Sequence, residues 1–574
     1  MFRLATPQNT RRAQPQTGSL TPLAIPAKGL NARDALAVMG PEYAISLVNV
    51  LSEPFGLKTR KGYTEWATNV STGIPVQTMM SYYPASAAPP GRVARIRPRA
   101  LGMRLLSEGP AARIAPAGKL FACASGRVLD VTVGGNGPWI PMAGVGGPSM
   151  GDHWTWLNFQ NIAGAFLCAC NNDSGGYAYY NGSAWTTPTL GTGAGQITGC
   201  DPSTFCYVVE HMKRLWFIEK GTTRAWYLPV SQITGTVTAF NFGEQFKHGG
   251  ELVALVRWTV DAGVDINDKL VAISSQGDVV VYQGTDPDTV GDFVIQGVWY
   301  VGALPVGRQC VINSGADVHI LSQFGVTPLS RLLTTIDMSQ QEQMRLTYMI
   351  SPVIARLMRE SSSLVGWKIV SLPKEELFLI GVPPDSPEFG GQFFALKLST
   401  GAWSLLNTLP YSSFVSIDAD VFSGTYDGRV VRAFDGPVDN VLIGTTTGDP
   451  IQCQVTPAYN SMEPGPGTGA QQKVFKMLRP TFITTTTPTI VVTIMTDYGG
   501  PGAAVIPTLP HFDEALWDVD LWDVAKWTGL QGPIKTWIGV NGVGFAGTAQ
   551  IDYLCGGETL LASIDFWTER GGVM

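Results

Sequence analysis

The feature that most restricts this chain is a module that recurs through its middle without repeating its letters. A tight turn comes first, then a run of alternating character, then a glycine-containing turn, and often a tryptophan. Residues 126–133 lead through Gly134-Gly135 to Trp139, 176–180 through Asn181-Gly182 to Trp185, and 214–218 through Gly221 to Trp226. Further copies are 277–282 before Gly284, 391–398 before Gly401 and Trp403, and 428–434 before Asp435-Gly436, with a weaker one at 317–321 before Gly325. Each carries β-branched and aromatic residues at period two between turn residues, the pattern of a strand pair. A second apolar run usually precedes it, as at 119–122, 165–167, 205–209, 269–273 and 376–380. Small meanders spaced by tens of residues mark a radial or stacked repeat. A β-propeller protects the edges of such small sheets by packing them around an axis. The expectation is a mainly β chain with a six- or seven-bladed β-propeller and an additional β domain built from the C-terminal region and the N-terminal arm.

The ends differ from the middle. Residues 1–90, punctuated by Pro22, Pro26, Pro41 and Pro54, read as an arm and attachment region, 91–440 as the propeller, and 441–574 as a C-terminal β domain with Thr-rich strands at 481–487 and 489–494. A helical insertion is expected near 338–361, where Met344, Tyr348, Ile354, Leu357 and Met358 fall at helical intervals. Pro352 should kink it or split it in two.

Composition narrows the function. Charged residues are 15% of the chain, well below the roughly 25% of an average soluble domain. Few charges and 66 glycines fit a turn-dense β protein whose surface is largely covered by partners. A net charge of −6 argues against a general nucleic-acid binder but leaves room for a local basic strip. The strongest one is Arg92, Arg95, Arg97 and Arg99, followed by Arg104, with no acid until Glu108. Alternation puts Arg95, Arg97 and Arg99 on one face of a strand. There they would touch DNA phosphates or an acidic neighbouring ring, or equally form a solvated entry strand.

Chemistry is sparse. The start lacks the apolar stretch of a signal peptide, and no apolar run reaches membrane-spanning length. The eight cysteines contain no CxxC pair and read as buried thiols of a protein folded in a reducing cytoplasm. The five histidines are scattered singly, so neither a metal nor a catalytic set is expected. The glycine-rich stretch 465–473 lacks the Gly-Lys-Ser/Thr ending of a phosphate cradle. Asp286, Asp288 and Asp292 lack the spacing of a calcium loop. Trp517, Trp522 and Trp527 stand among acidic residues. A glycosidase would need two carboxylates facing one sugar, and an aromatic packing or assembly element is the simpler reading. No enzyme, cofactor or metal is expected.

Four stretches carry a family resemblance: Gly29-Leu30-Asn31-Ala32-Arg33-Asp34, then Met39-Gly40-Pro41-Glu42-Tyr43-Ala44 with Asn49, then Arg60-Lys61-Gly62-Tyr63, and near the end the tryptophan trio with Gly571-Gly572. They resemble the tail nozzle or tail-tube proteins of podoviruses, the short-tailed phages. This sequence departs from the family phrase at Gly40-Pro41 and has Arg60-Lys61 in place of Arg-Arg. The resemblance implies a homohexameric virion protein at the distal end of the tail duct, folded in the host cytoplasm, that retains the genome and permits its ejection. Its partners would be the adaptor ring, tail fibres or spikes and the DNA in the lumen, without stable membrane insertion. Arg33, Asp34 and the three tryptophans become assembly-interface candidates, with Asn31 or Asp34 capping a short helix over 35–39. The alternatives are a propeller-based glycan-active enzyme and a receptor-binding tail spike.

Overall fold

The computed structural model describes residues 18–84, 118–147, 150–261, 266–289, 291–334, 342–418, 420–462, 471–507, 509 and 532–570. Two compact units emerge: 1–59 with 400–404 and 450–574, and 60–399 with 405–449.

The second unit is the propeller. Six small sheets are arranged as blades. The first holds Thr78–Tyr82, Lys119–Ala124 and Arg127–Asp130, and the second runs from Trp154–Asn161 to Trp185–Thr186. The third spans Phe205–His211 to Thr238–Asn241, and the fourth Leu252–Asp261 to Val294–Tyr300. The fifth is Val311–Ser314, Asp317–Ser322 and Gly325–Pro328. The closing blade takes Tyr411–Ile417, Asp420–Thr425 and Val430–Ala433 and adds Tyr63–Ala67 as its outer strand. A further meander, Lys368–Leu372, Leu377–Gly381 and Phe393–Lys397, lies between the fifth and closing blades. On one side Ser371 Oγ meets Ser314 Oγ at 2.7 Å, and on the other Lys368 Nζ donates to the Ser412 carbonyl.

Antiparallel neighbours joined by short turns explain the order. Cys168 faces Tyr179, and Val280 faces both Ala272 and Val298. First strands pack against first strands of adjacent blades, so the core is a ring of inter-blade clusters. Ala67, Val76, Leu120, Ile417 and Phe422 fill one such cluster, and Phe121, Leu167, Tyr180 and Trp185 the next. Burying a large apolar side chain contributes on the order of 2 kcal/mol, so each blade is held chiefly by its neighbours.

Two local expectations change. Tyr63–Ala67 and Thr78–Tyr82, placed by sequence in the arm, are propeller strands. At 35–39 there is one turn, in which the Val38 and Met39 amides donate to the Ala35 carbonyl, and no helix. Gly40-Pro41 stops it there. In the insertion Pro352 occupies the first turn of the helix Ser351–Ser361, preceded by the tight turn Tyr348–Ile350. Proline is tolerated at that position because its missing N–H would be unpaired anyway.

The first unit is a two-sheet β sandwich. In one sheet Lys473–Thr484 pairs with Thr559–Arg570 on one side and with Gly532–Lys535 and Ile538–Gly544 on the other. Ser19–Leu23 and Gly56–Thr59 extend it beyond Thr559–Arg570. The other sheet runs Ala44–Val48, Ile451–Pro457, Gly547–Cys555 and Thr489–Thr496. Phe475, Leu478, Phe482 and Phe566 meet Val455, Ile490 and Ile551 in its core. The N-terminal arm thus completes the C-terminal β domain.

Candidate functional site

Tyr63–Ala67 reaches the closing blade through the phrase Arg60-Lys61-Gly62-Tyr63. The Arg60 guanidinium is fully buried and donates to both Asp439 oxygens at 2.7 and 2.6 Å. Its remaining donors reach Lys61 O and Thr408 Oγ1. Gly62 runs so close to 436–439 that a Cβ there would stand 1.7 Å from Val438 O. Tyr63 packs edge-on against Tyr411 with ring centroids 5.9 Å apart, and burial pushes its hydroxyl up to about 12. Backbone pairing follows, with Ala433 opposite Tyr63 and Val430 opposite Ala67. Arg432 then covers the Trp66 ring at 5.2 Å.

The earlier phrase lies in the sandwich unit. Gly29 has φ +80°, and a Cβ would come within 2.6 Å of the Trp403 backbone. Asn31 Oδ1 accepts from the Arg33 and Asp34 amides at 3.0 and 3.1 Å, while its Nδ2 donates to Asp34 Oδ2 at 2.9 Å. Asn31 therefore caps a turn where a helix cap was expected. Arg33 meets Asp34 at 3.3 Å, both partly exposed. Asn49 sits in the left-handed region at φ 59° and donates to Gln452 O at 2.7 Å. Arg92, Arg95, Arg97, Arg99, Trp517, Trp522 and Trp527 lie outside the described residues.

A cavity of about 310 Å³ opens at one rim of the propeller. Loops entering or leaving several blades and the meander line it, including His153, Asp173, Lys220, Glu251, Arg308 and Lys368. His153 Nδ1 lies 3.0 Å from Asp173 Oδ2. Burial opposes the Asp173 charge, but the His153 contacts hold its carboxyl below the usual range. Lys220 Nζ donates to the Asp173 carbonyl. Arg308 Nη1 donates to Leu252 O and Val253 O at 3.1 and 2.6 Å. Burial pushes the Lys368 ammonium down to about 8. Sequence reasoning missed this site because its residues come from separate modules and share no spacing.

The remaining sequence candidates are structural. Asp286 and Asp288 engage Arg214 at 2.8 and 3.5 Å, and Asp292 accepts from the Thr285 and Asp286 amides. Among the described residues no cluster of His, Cys, Asp and Glu fits a metal ion. The eight cysteines are free thiols, buried except for half-buried Cys200. Among the same residues no helix is long and apolar enough to cross a membrane.

No protein-family model matches this chain, and no curated protein does. Solved structures match it at low identity. An exo-β-1,3-galactanase of Phanerochaete chrysosporium is 11% identical over 72% of this chain and 95% of its own, with a TM-score of 0.26. Sqt1 of Saccharomyces cerevisiae is 10% identical over 70% and 96%, with a TM-score of 0.33. A putative 6-phosphogluconolactonase of Bacteroides fragilis is 12% identical over 54% and 83%, with a TM-score of 0.31. Likeness at this level says nothing of activity.

Proposed function

We propose that this chain is a tail nozzle subunit of a short-tailed phage, a non-enzymatic wall element whose hexamer forms the distal duct. It joins the adaptor ring and carries fibres or spikes. In the virion it holds the genome back until ejection. The observation that carries this reading is the place of the family-like phrases in the fold. Arg60-Lys61-Gly62-Tyr63 closes the propeller, and Gly29-Leu30 is seated on the Trp403 backbone. In this chain those residues hold the fold together, which gives the phrases that carry the resemblance a physical role. Low charge agrees, because cores of specific interfaces are depleted in charged residues. Val38 and Phe55, exposed at 77% and 68%, are apolar groups that a neighbour would cover. The propeller fold is equally compatible with the alternative of a glycan-active enzyme. Such an enzyme needs a protonated acid beside a second carboxylate, and in the cavity Asp173 is held ionised by His153.

Native mass measurement and negative-stain imaging of the purified protein and of isolated tails test the proposal. A sixfold ring at the tail tip is expected. A protein that stays monomeric at micromolar concentration and is missing from purified tails would sink it.

A further inference from the structure

We infer that the propeller-rim cavity is a binding site for a compact monoanionic sugar, one carboxylate with neighbouring hydroxyls. The inference stands on the cavity alone and does not depend on the nozzle reading. At about 310 Å³ the cavity is within the range of small-ligand pockets and has room for one sugar ring.

Charge chooses the anion. Lys220, Arg308 and Lys368 face Asp173 and Glu251, three cations against two carboxylates. Not all of these are available to a ligand. Lys368 is 4% exposed and its Nζ is committed to Ser412 O. Asp173 is bound by His153, and its carbonyl by Lys220. Lys220 keeps two further ammonium donors, and Arg308, with only Nη1 committed to Leu252 and Val253, keeps its other N–H groups. Lys220, Glu251 and Arg308 all line the cavity. A carboxylate satisfies the two cations. A phosphate dianion would bring a second negative charge up to Glu251 and Asp173 with no cation to balance it.

The other lining groups suit hydroxyls. Glu251 offers an acceptor, and Asn172 and Gln309 offer amides. Val306 and Val365, exposed at 49% and 50%, give the rim an apolar edge for the C–H face of a ring. Gly221, Gly307 and Gly366 allow the backbone to approach closely. Free sugar acids and acidic residues of surface polysaccharides share this chemistry, so both belong in the test.

Calorimetric titration of the full-length protein with glucuronate, glucose, inorganic phosphate and an oligogalacturonide is the experiment. Glucuronate should bind one to one, with glucose and phosphate each about tenfold weaker or worse. Lys220→Met and Glu251→Gln should each weaken glucuronate by about tenfold while the melting temperature stays put. Tighter binding of the oligogalacturonide would assign the site to a polymer, and equal or weaker binding to the free sugar acid, both within the proposal. Glucose binding as well as glucuronate, phosphate binding better, or no glucuronate binding at millimolar concentration would overturn it. If Lys220→Met does not fold, the comparison of ligands on the unaltered protein decides alone.

Discussion

Asp439 takes both arms of the Arg60 guanidinium although 379 residues separate them in sequence. The pair is buried and sits where the first propeller strand joins the last blade. Removing one partner strands the other charge away from water, at a cost of about 3–5 kcal/mol. Arg60→Met and Asp439→Leu should therefore each lower stability by that amount in urea unfolding. The double variant should recover part of the loss, because no lone charge remains. Additive losses would show that the pair is not coupled.

Gly62→Ala tests the same closure by shape. The added carbon would stand 1.7 Å from Val438 O, so the strand cannot stay where it is. A large drop in melting temperature, or no soluble protein, is expected. Gly147→Ala is the control, since nothing lies within 4 Å of its Cβ position. It should melt with the parent.

His211 is 2% exposed, and neither ring nitrogen has a side-chain or backbone partner of good geometry. Burial pushes it down to about 4 from an ordinary 6.5. The unfolded chain therefore binds the extra proton first. Its contribution is fully present above pH 6.5, falls as the pH drops through the window to about 4, and amounts to about 3 kcal/mol when fully lost. His211→Leu should flatten the difference in unfolding free energy between pH 7 and pH 4.5. An unchanged slope would refute this origin.

Lys368 has the same sign in another window. Its folded value of about 8 lies under the ordinary 10.5, so the unfolded state holds more protons between the two. Stability should rise with pH from 8 towards 10, and the rise should be smaller in Lys368→Met. Denaturation curves of both proteins at pH 8 and pH 9.5 measure it.

The basic strip can be tested genetically. On the proposed nozzle reading, charge reversal of Arg95 and Arg97 should weaken tail assembly or DNA retention, scored as particles that lose their genome. Infectivity at the parental level would refute that role.

The blades were legible because each is a local meander, its strands only a turn apart, so period-two patterning and turn residues describe it fully. Closure was not. Tyr63–Ala67 looks like any short strand, and nothing near it says that its partner is Val430–Ala433. That the N-terminal arm joins the C-terminal β domain was expected, but not that Ser19–Leu23 would pair with its last strand. Ala35 to Met39 misled because a helix-like composition over so few residues yields a single turn, and nucleation is costly. The cavity stayed hidden because most of its charges sit in turns and loops, where charged residues are commonplace, and Lys368 opens an ordinary strand.

A ring whose first strand is held by its last blade cannot be finished while the ribosome is still making the middle. Blades can form one after another as they emerge, but the seam waits until residues 430–439 are out. Until then the growing arc has two raw ends. A nascent chain of this kind therefore depends on the speed of translation and on whatever shields those ends, and truncations before Asp439 should aggregate rather than yield a smaller propeller.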